Sequence, residues 1–103
     1  MFGTVGHLRF DPANRNELHE QMQDDAYLSV EGYGWGQFLL DENDPGHAVI
    51  VAVFDDRATC FKNADDPAQD ERYQRMRSLL SEDPSWTDGE WSISAGRNGA
   101  PNT

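Results

Sequence analysis

The chain holds a single cysteine, Cys60, in 103 residues, so no disulfide can form within it. A lone thiol fits a reducing compartment, and a cytoplasmic location is the expectation. Long apolar runs are also missing. None approaches the roughly 20 residues needed to span a bilayer, and no basic-then-apolar leader opens the sequence, so a membrane is not an expected partner. Basic residues are scarce: eight Lys and Arg stand against 19 Asp and Glu, a formal charge of −11. A surface that negative repels phosphate backbones, which argues against nucleic acid as a partner. A well-solvated surface and an adaptation to high salt both fit such a charge. No His, Cys and carboxylate cluster has metal-ligand spacing, and no glycine loop opens a helix to cradle a phosphate. Gly32, Gly34 and Gly36 instead alternate within a strand. No metal and no cofactor are expected.

What the chain does have is a run apolar on both parities, Ala48-Val49-Ile50-Val51-Ala52-Val53-Phe54. A strand buried on one face alternates apolar and polar residues, and this one does not. Both faces of its sheet therefore need cover. At this length the chain makes one domain with a single modest core, expected over residues 1–94, with a Gly/Asn/Pro-rich flexible tail at 95–103.

Four strands and two helices can be read around that run. Met1 to Phe10 alternates as a first strand, ended by Asp11-Pro12. Asn14 is a candidate N-cap for a helix from Arg15 to about Asp25, whose apolar stripe is Leu18, Met22 and Ala26. Gly32 to Leu40 is a second strand, with Tyr33, Trp35, Gln37 and Leu39 expected on one side. Asp41 to Gly46 is a turn, joining it to strand three as a hairpin. Asp55 or Asp56 caps a short helix running to about Asn63, with Ala58 and Phe61 on its inner side. Asp66 and Pro67 restart it, and Tyr73, Met76 and Leu80 fall on one face at helical spacing as far as about Ser81. Trp86 to Ser94 is the fourth strand. The order βαββαβ predicts an α+β, ferredoxin-like domain: a four-stranded antiparallel sheet with two helices on one face. The simplest cover for the other face is a second copy of the chain, packed sheet to sheet about a two-fold axis. At about 25 cal/mol per Å² of apolar area, leaving several hundred Å² open forfeits on the order of 10 kcal/mol.

Few side chains carry obvious chemistry. His7, expected on the helix-facing side of strand one, has the residue type of a base or proton relay. The plainer reading is a partly buried histidine satisfied by a backbone carbonyl or a carboxylate. Asn63 can hold an anionic, enolate-like oxygen through its amide, or simply end a helical segment. Tyr73 is a pocket donor or a core residue. Trp35, Phe61 and Tyr73 together can sandwich a flat aromatic ligand, or pack as ordinary core. Cys60, with no base beside it in sequence, reads as an inert packed thiol. The pairs Asp55-Asp56 and Asp65-Asp66 read as helix caps.

Gly32-Tyr33, the stretch Val49 to Asp56 and the restart Ala64-Asp65-Asp66-Pro67 together resemble the dimeric α+β barrel superfamily, in particular its antibiotic-biosynthesis-monooxygenase-like domains. The resemblance runs from Met1 to about Ser94. It implies a homodimer whose ligand cavity lies between each sheet and its own helices. Activities in the family include cofactor-independent oxygenation of polycyclic aromatics and haem degradation. Haem-degrading members use an asparagine, a tryptophan and a histidine at positions that fall at about His7, Asn63 and Tyr73 here. None of those three residue types is kept, which argues against haem degradation. Members also commonly have a tryptophan where Phe54 stands and a histidine where Asn63 stands. Two functions are expected in competition. One is a cofactor-independent monooxygenase of a small aromatic or quinol-type substrate, with His7, Asn63 and Tyr73 as catalytic candidates and Trp35 and Phe61 holding the ligand. The other is a non-catalytic dimeric module for a small hydrophobic ligand or a protein partner.

Overall fold

The computed structural model describes residues 1–23 and 32–92. The strands are β1 (Phe2–Arg9), β2 (Tyr33–Leu40), β3 (His47–Phe54) and β4 (Ser85–Glu90), and the helices are α1 (Arg15–Met22), α2 (Arg57–Ala64) and α3 (Pro67–Arg77). A 3₁₀ turn, Pro12–Asn14, precedes α1. The sheet order is β2-β3-β1-β4 and every pairing is antiparallel, giving the expected ferredoxin-like fold. Among the described residues no helix is long and apolar enough to cross a membrane.

Strand parity decides which side chains meet the helices. Leu8, Phe10 and Ala48 are buried in one cluster with Leu18 of α1, Met76 of α3 and Leu80. Phe2 reaches the Phe61 ring of α2, with centroids 5.7 Å apart. Even-numbered positions of β1 and β3 therefore face the helices, and odd-numbered ones face away. Paired residues of antiparallel strands share a face, so the register extends this rule to β2 and β4. The outward positions are then Gly3, Val5, His7 and Arg9; Trp35, Gln37 and Leu39; His47, Val49, Val51 and Val53; and Ser85, Thr87 and Gly89. The strand that looked apolar on both parities does supply both faces.

Turn chemistry locks these elements. Asp41 and Asp44 accept from the backbone N–H groups of Asn43 and Gly46, closing the β2–β3 hairpin. Asp56 caps α2 in a reciprocal box with Thr59, and Asp66 caps α3 ahead of Pro67. The Asp56 carboxyl is held below its ordinary value chiefly by the Thr59 backbone N–H.

Four local expectations are corrected. Asn14 does not cap α1: the chain enters through the 3₁₀ turn, so Asn14 already has helical backbone. Its amide donates instead to the Leu79 carbonyl at 3.1 Å, while Asp11 caps the turn. Ala58 is exposed, and Cys60 takes the buried position on α2. Helix α3 stops at Arg77, where Leu79 and Leu80 donate to carbonyls only three residues back. Strand β4 starts at Ser85 and ends at Glu90, although the Trp91 N–H still reaches the Met1 carbonyl. Ala26, Ile93, Ser94 and the expected 95–103 tail lie outside the described residues.

Candidate ligand cavity and the open sheet face

Between the sheet and its helices lies a cavity of about 630 Å³. Its sheet side carries Tyr33, Phe38, Ile50, Phe54 and Trp86, and its helix side Met22, Phe61, Asn63, Tyr73 and Met76. Two glycines let the aromatic walls lie flat. A Cβ on Gly6 would come within 2.4 Å of the Trp86 ring, and one on Gly36 within 2.4 Å of the Tyr33 hydroxyl. Trp86 and Tyr33 therefore lie directly over bare backbone. Tyr33 also meets Phe54 edge-on, with centroids 5.5 Å apart. Arg57 sits 4.6 Å above the other side of Phe61. The result is a cavity with aromatic and aliphatic walls and a polar share that includes Gln21, Gln69, Asp70, Arg72, Arg75 and Asp88 beside Asn63 and Tyr73.

Of the residues singled out from sequence, Asn63, Tyr73 and Phe61 line this cavity. His7 and Trp35 do not. His7 is exposed and points away from the helices, because it shares parity with Val5 and Arg9 and not with Leu8. Trp35 pairs with Val53 on that same outward side. Tyr33 pairs with Phe54 on the cavity side, since the β2–β3 register slips between Tyr33 and Trp35. The expected Trp35–Phe61–Tyr73 sandwich is thus not assembled. Tyr33 and Trp86 supply the sheet-side aromatics instead.

Cys60 also lines the cavity. Burial pushes its thiol up, and the negative charge of Asp88 adds to the effect, so little thiolate is present at neutral pH. Among the described residues no group of three or more His, Cys, Asp or Glu is placed to hold a metal ion.

The outward face has its own order. At one end Trp35 pairs with Val53, and the Trp91 indole lies over Gly3, so a Cβ there would fall 2.4 Å from its Nε1. That nitrogen is buried and has no hydrogen-bond partner among the described residues. At the other end the His7 and His47 rings stack with centroids 5.3 Å apart and planes within 6°. His7 Nδ1 lies 3.0 Å from His47 Nε2, and His47 Nδ1 lies 2.7 Å from an Asp41 carboxylate oxygen. That contact is the main reason the Asp41 carboxyl is held low. Arg9 forms an ion pair with Asp44 beside them. Asp44 is held low as well, first by the Gly46 N–H and then by Arg9.

Sheet order and helix placement define a class: this is the fold of solved structures described as antibiotic biosynthesis monooxygenases. A crystal structure of an antibiotic biosynthesis monooxygenase superposes with a TM-score of 0.77 at 13% identity, over 90% of this chain and 100% of that one. SnoaB, a cofactor-independent oxygenase from Streptomyces nogalater, gives 0.70 at 13% identity over 89% and 95%. A Mycobacterium tuberculosis protein gives 0.78 at 12% identity over 92% and 98%. No sequence-family model and no curated protein sequence matches the chain. What is shared at these identities is the fold.

Proposed function

We propose that the chain is a homodimeric, cofactor-independent monooxygenase acting on a small aromatic or quinol-type substrate in the cavity. The observation that carries this reading is the cavity itself, with aromatic rings on both walls and Asn63 and Tyr73 among its polar groups. In this reading a flat phenol lies between the sheet-side rings of Trp86 or Tyr33 and the Phe61 ring of α2. The Asn63 amide donates to the substrate oxygen, favouring its ionised form, and Tyr73 donates from the α3 wall. An electron-rich phenolate can react with dioxygen without a cofactor because the substrate supplies every electron. One oxygen atom becomes a ring carbonyl and the other leaves as water, so phenol plus dioxygen gives quinone plus water. The oxygenase neighbour SnoaB supports the same chemistry by its shared fold.

The second copy is argued from charge. In a chain with 19 acidic residues, none of the strand positions pointing outward is Asp or Glu. Apolar Val5, Val49, Val51 and Leu39 occupy the middle of that face, and Leu39 is 63% exposed. A surface cleared of like charge in so acidic a protein suits contact with an identical partner.

A non-catalytic ligand-binding dimer remains the second reading, favoured by the lack of any histidine among the cavity-lining residues. Oxygen uptake with a panel of phenols, anthrones and naphthoquinols separates the two. The enzyme reading expects substrate-dependent uptake that falls at least about tenfold in Asn63→Ala and Tyr73→Phe. Tight binding of the same compounds with no uptake by the wild type leaves only the binding module.

A further inference from the structure

His7 and His47 lie 40 positions apart in sequence, yet the register makes them diagonal neighbours, since Arg9 pairs with His47 and His7 with Val49. Their bonding pattern fixes where protons can sit. His47 Nδ1 meets a carboxylate, which only accepts, so that nitrogen carries a hydrogen. A neutral His47 then offers a lone pair at Nε2, and His7 must donate from Nδ1. When one proton is added, His47 becomes the donor and His7 the acceptor, and the 3.0 Å contact survives. A second proton leaves two N–H groups facing each other and breaks it.

The surroundings limit how that second charge is absorbed. From β1 the pair is flanked by Val5 and Arg9, and Arg9 is already paired with Asp44. Strand β4 contributes Ser85 opposite His7, which is uncharged, and β2 contributes Leu39 on the row of Val49. The hairpin turn contributes Asp41, engaged with His47, and beyond it the exposed Glu42. In the turn before β4, Asp83 is held by Arg77 and Glu82 is exposed. Asp41, Asp44 and Asp83 are thus each already engaged, by His47, Arg9 and Arg77 in turn. In a free protomer, exposed His7 can swing its charge into water. Under a second sheet it cannot.

We propose that the Asp41–His47–His7 chain is a proton-controlled latch on the sheet-to-sheet contact: the dimer forms when the histidine pair holds at most one proton, and a second proton dissociates it. This rests on the homodimer proposed above. Histidine is the side chain whose charge state mild acid is suited to change, so the latch is probed by comparing neutral with mildly acidic solution. With one proton taken up per protomer on dissociation, the dimer Kd rises by as much as about 100-fold per pH unit once the second proton enters.

Sedimentation equilibrium of the full chain at pH 7.5 and pH 5.0 tests it, with circular dichroism confirming the fold at both. The expected result is a wild-type Kd at least about tenfold weaker at pH 5.0, and a His7→Gln variant that dimerises with the same Kd at both. An unchanged wild-type Kd, or a His7→Gln variant that keeps the wild-type shift, overturns the latch and leaves the dimer standing. A wild type that is monomeric at pH 7.5 overturns the dimer and the latch together. Nitrogen-15 NMR of the imidazoles gives an independent reading: the latch requires neutral His7 in its Nδ1–H form. A neutral pair with His7 in the Nε2–H form overturns it.

Discussion

Tyr33 and Trp35 are two residues apart in one strand, yet they lie on opposite faces of the sheet. Tyr33 stands opposite Phe54 and closes the cavity, while Trp35 stands opposite Val53 on the outward side. The slip falls at Gly34, where a missing side chain lets the backbone take up the irregularity. The two aromatics therefore serve different purposes and should separate on mutation. Trp35→Ala is expected to weaken dimerisation at least about tenfold, the loss of one large interface ring, with ligand affinity in the cavity unchanged. Tyr33→Ala should do the reverse. Paired sedimentation and ligand titration check this, and a Trp35→Ala effect on ligand affinity alone would contradict the face assignment.

Val51 sits at the middle of the outward face, opposite Val5 and Gln37. Val51→Asp places a carboxylate in the middle of the face that the proposed dimer buries, and a buried unpaired charge costs several kcal/mol. The variant is expected to sediment as a monomer at micromolar concentration. A conservative Val51→Thr should stay dimeric, which separates the charge effect from a simple change of side chain.

Gly6 lies beneath the Trp86 ring and against Ile50, with Ile50 Cγ2 2.9 Å from where a Cβ would be. Gly6→Val pushes on both, and overpacking of this kind costs about 1–3 kcal/mol. Trp86 must swing into the cavity or out to solvent. A lower unfolding temperature is expected, with a ligand affinity changed far more than that of Gly89→Val, since nothing lies within 4 Å of a Cβ at Gly89.

Acid should loosen the hairpin and the start of α2. Asp41, Asp44 and Asp56 all have carboxyls held below the ordinary 3.8. A carboxyl lowered in the folded state stabilises the fold fully above its unfolded value, and that contribution disappears as pH falls through the lowered folded value. Stability from these groups is thus intact at pH 5 and lost progressively below about pH 4. Urea midpoints measured from pH 6 to pH 2 should show a decline confined to the lower half. Asp56→Asn, which keeps a side-chain acceptor for the Thr59 N–H, should flatten part of it.

The scaffold was legible because local rules and the global fold agree. Asp66-Pro67 starts a helix wherever it occurs in such a pattern, and the Asp41–Gly46 stretch can hardly be anything but a turn. Ala48–Phe54 announced two covered faces by lacking alternation. The site was legible only in part. Phe61 and Tyr73 line the cavity as helical spacing predicts, and Asn63 does so where the family resemblance pointed. Tyr33 was misplaced because alternation assumes an unbroken register, and only Gly34 hinted otherwise. His7 was set on the wrong side although Phe2, Leu8 and Phe10 mark the opposite parity as the buried one and only Val5 shares its own. Its contact with His47 depends on which strands pair and in which register, information that no short stretch of sequence contains.

One feature of the fold bears on how copies of this chain avoid the wrong kind of meeting. Strand β4 borders the sheet on one side, is exposed throughout, and ends in Asp88-Gly89-Glu90. An open strand edge invites another chain to hydrogen-bond onto it and extend the sheet without limit. Two carboxylates within three residues make that border repel its own kind, and a glycine between them weakens its pull on a β partner. In the proposed dimer, self-recognition is thereby kept off the rim, where it would polymerise, and left to the broad outward surface, where a two-fold arrangement closes after two.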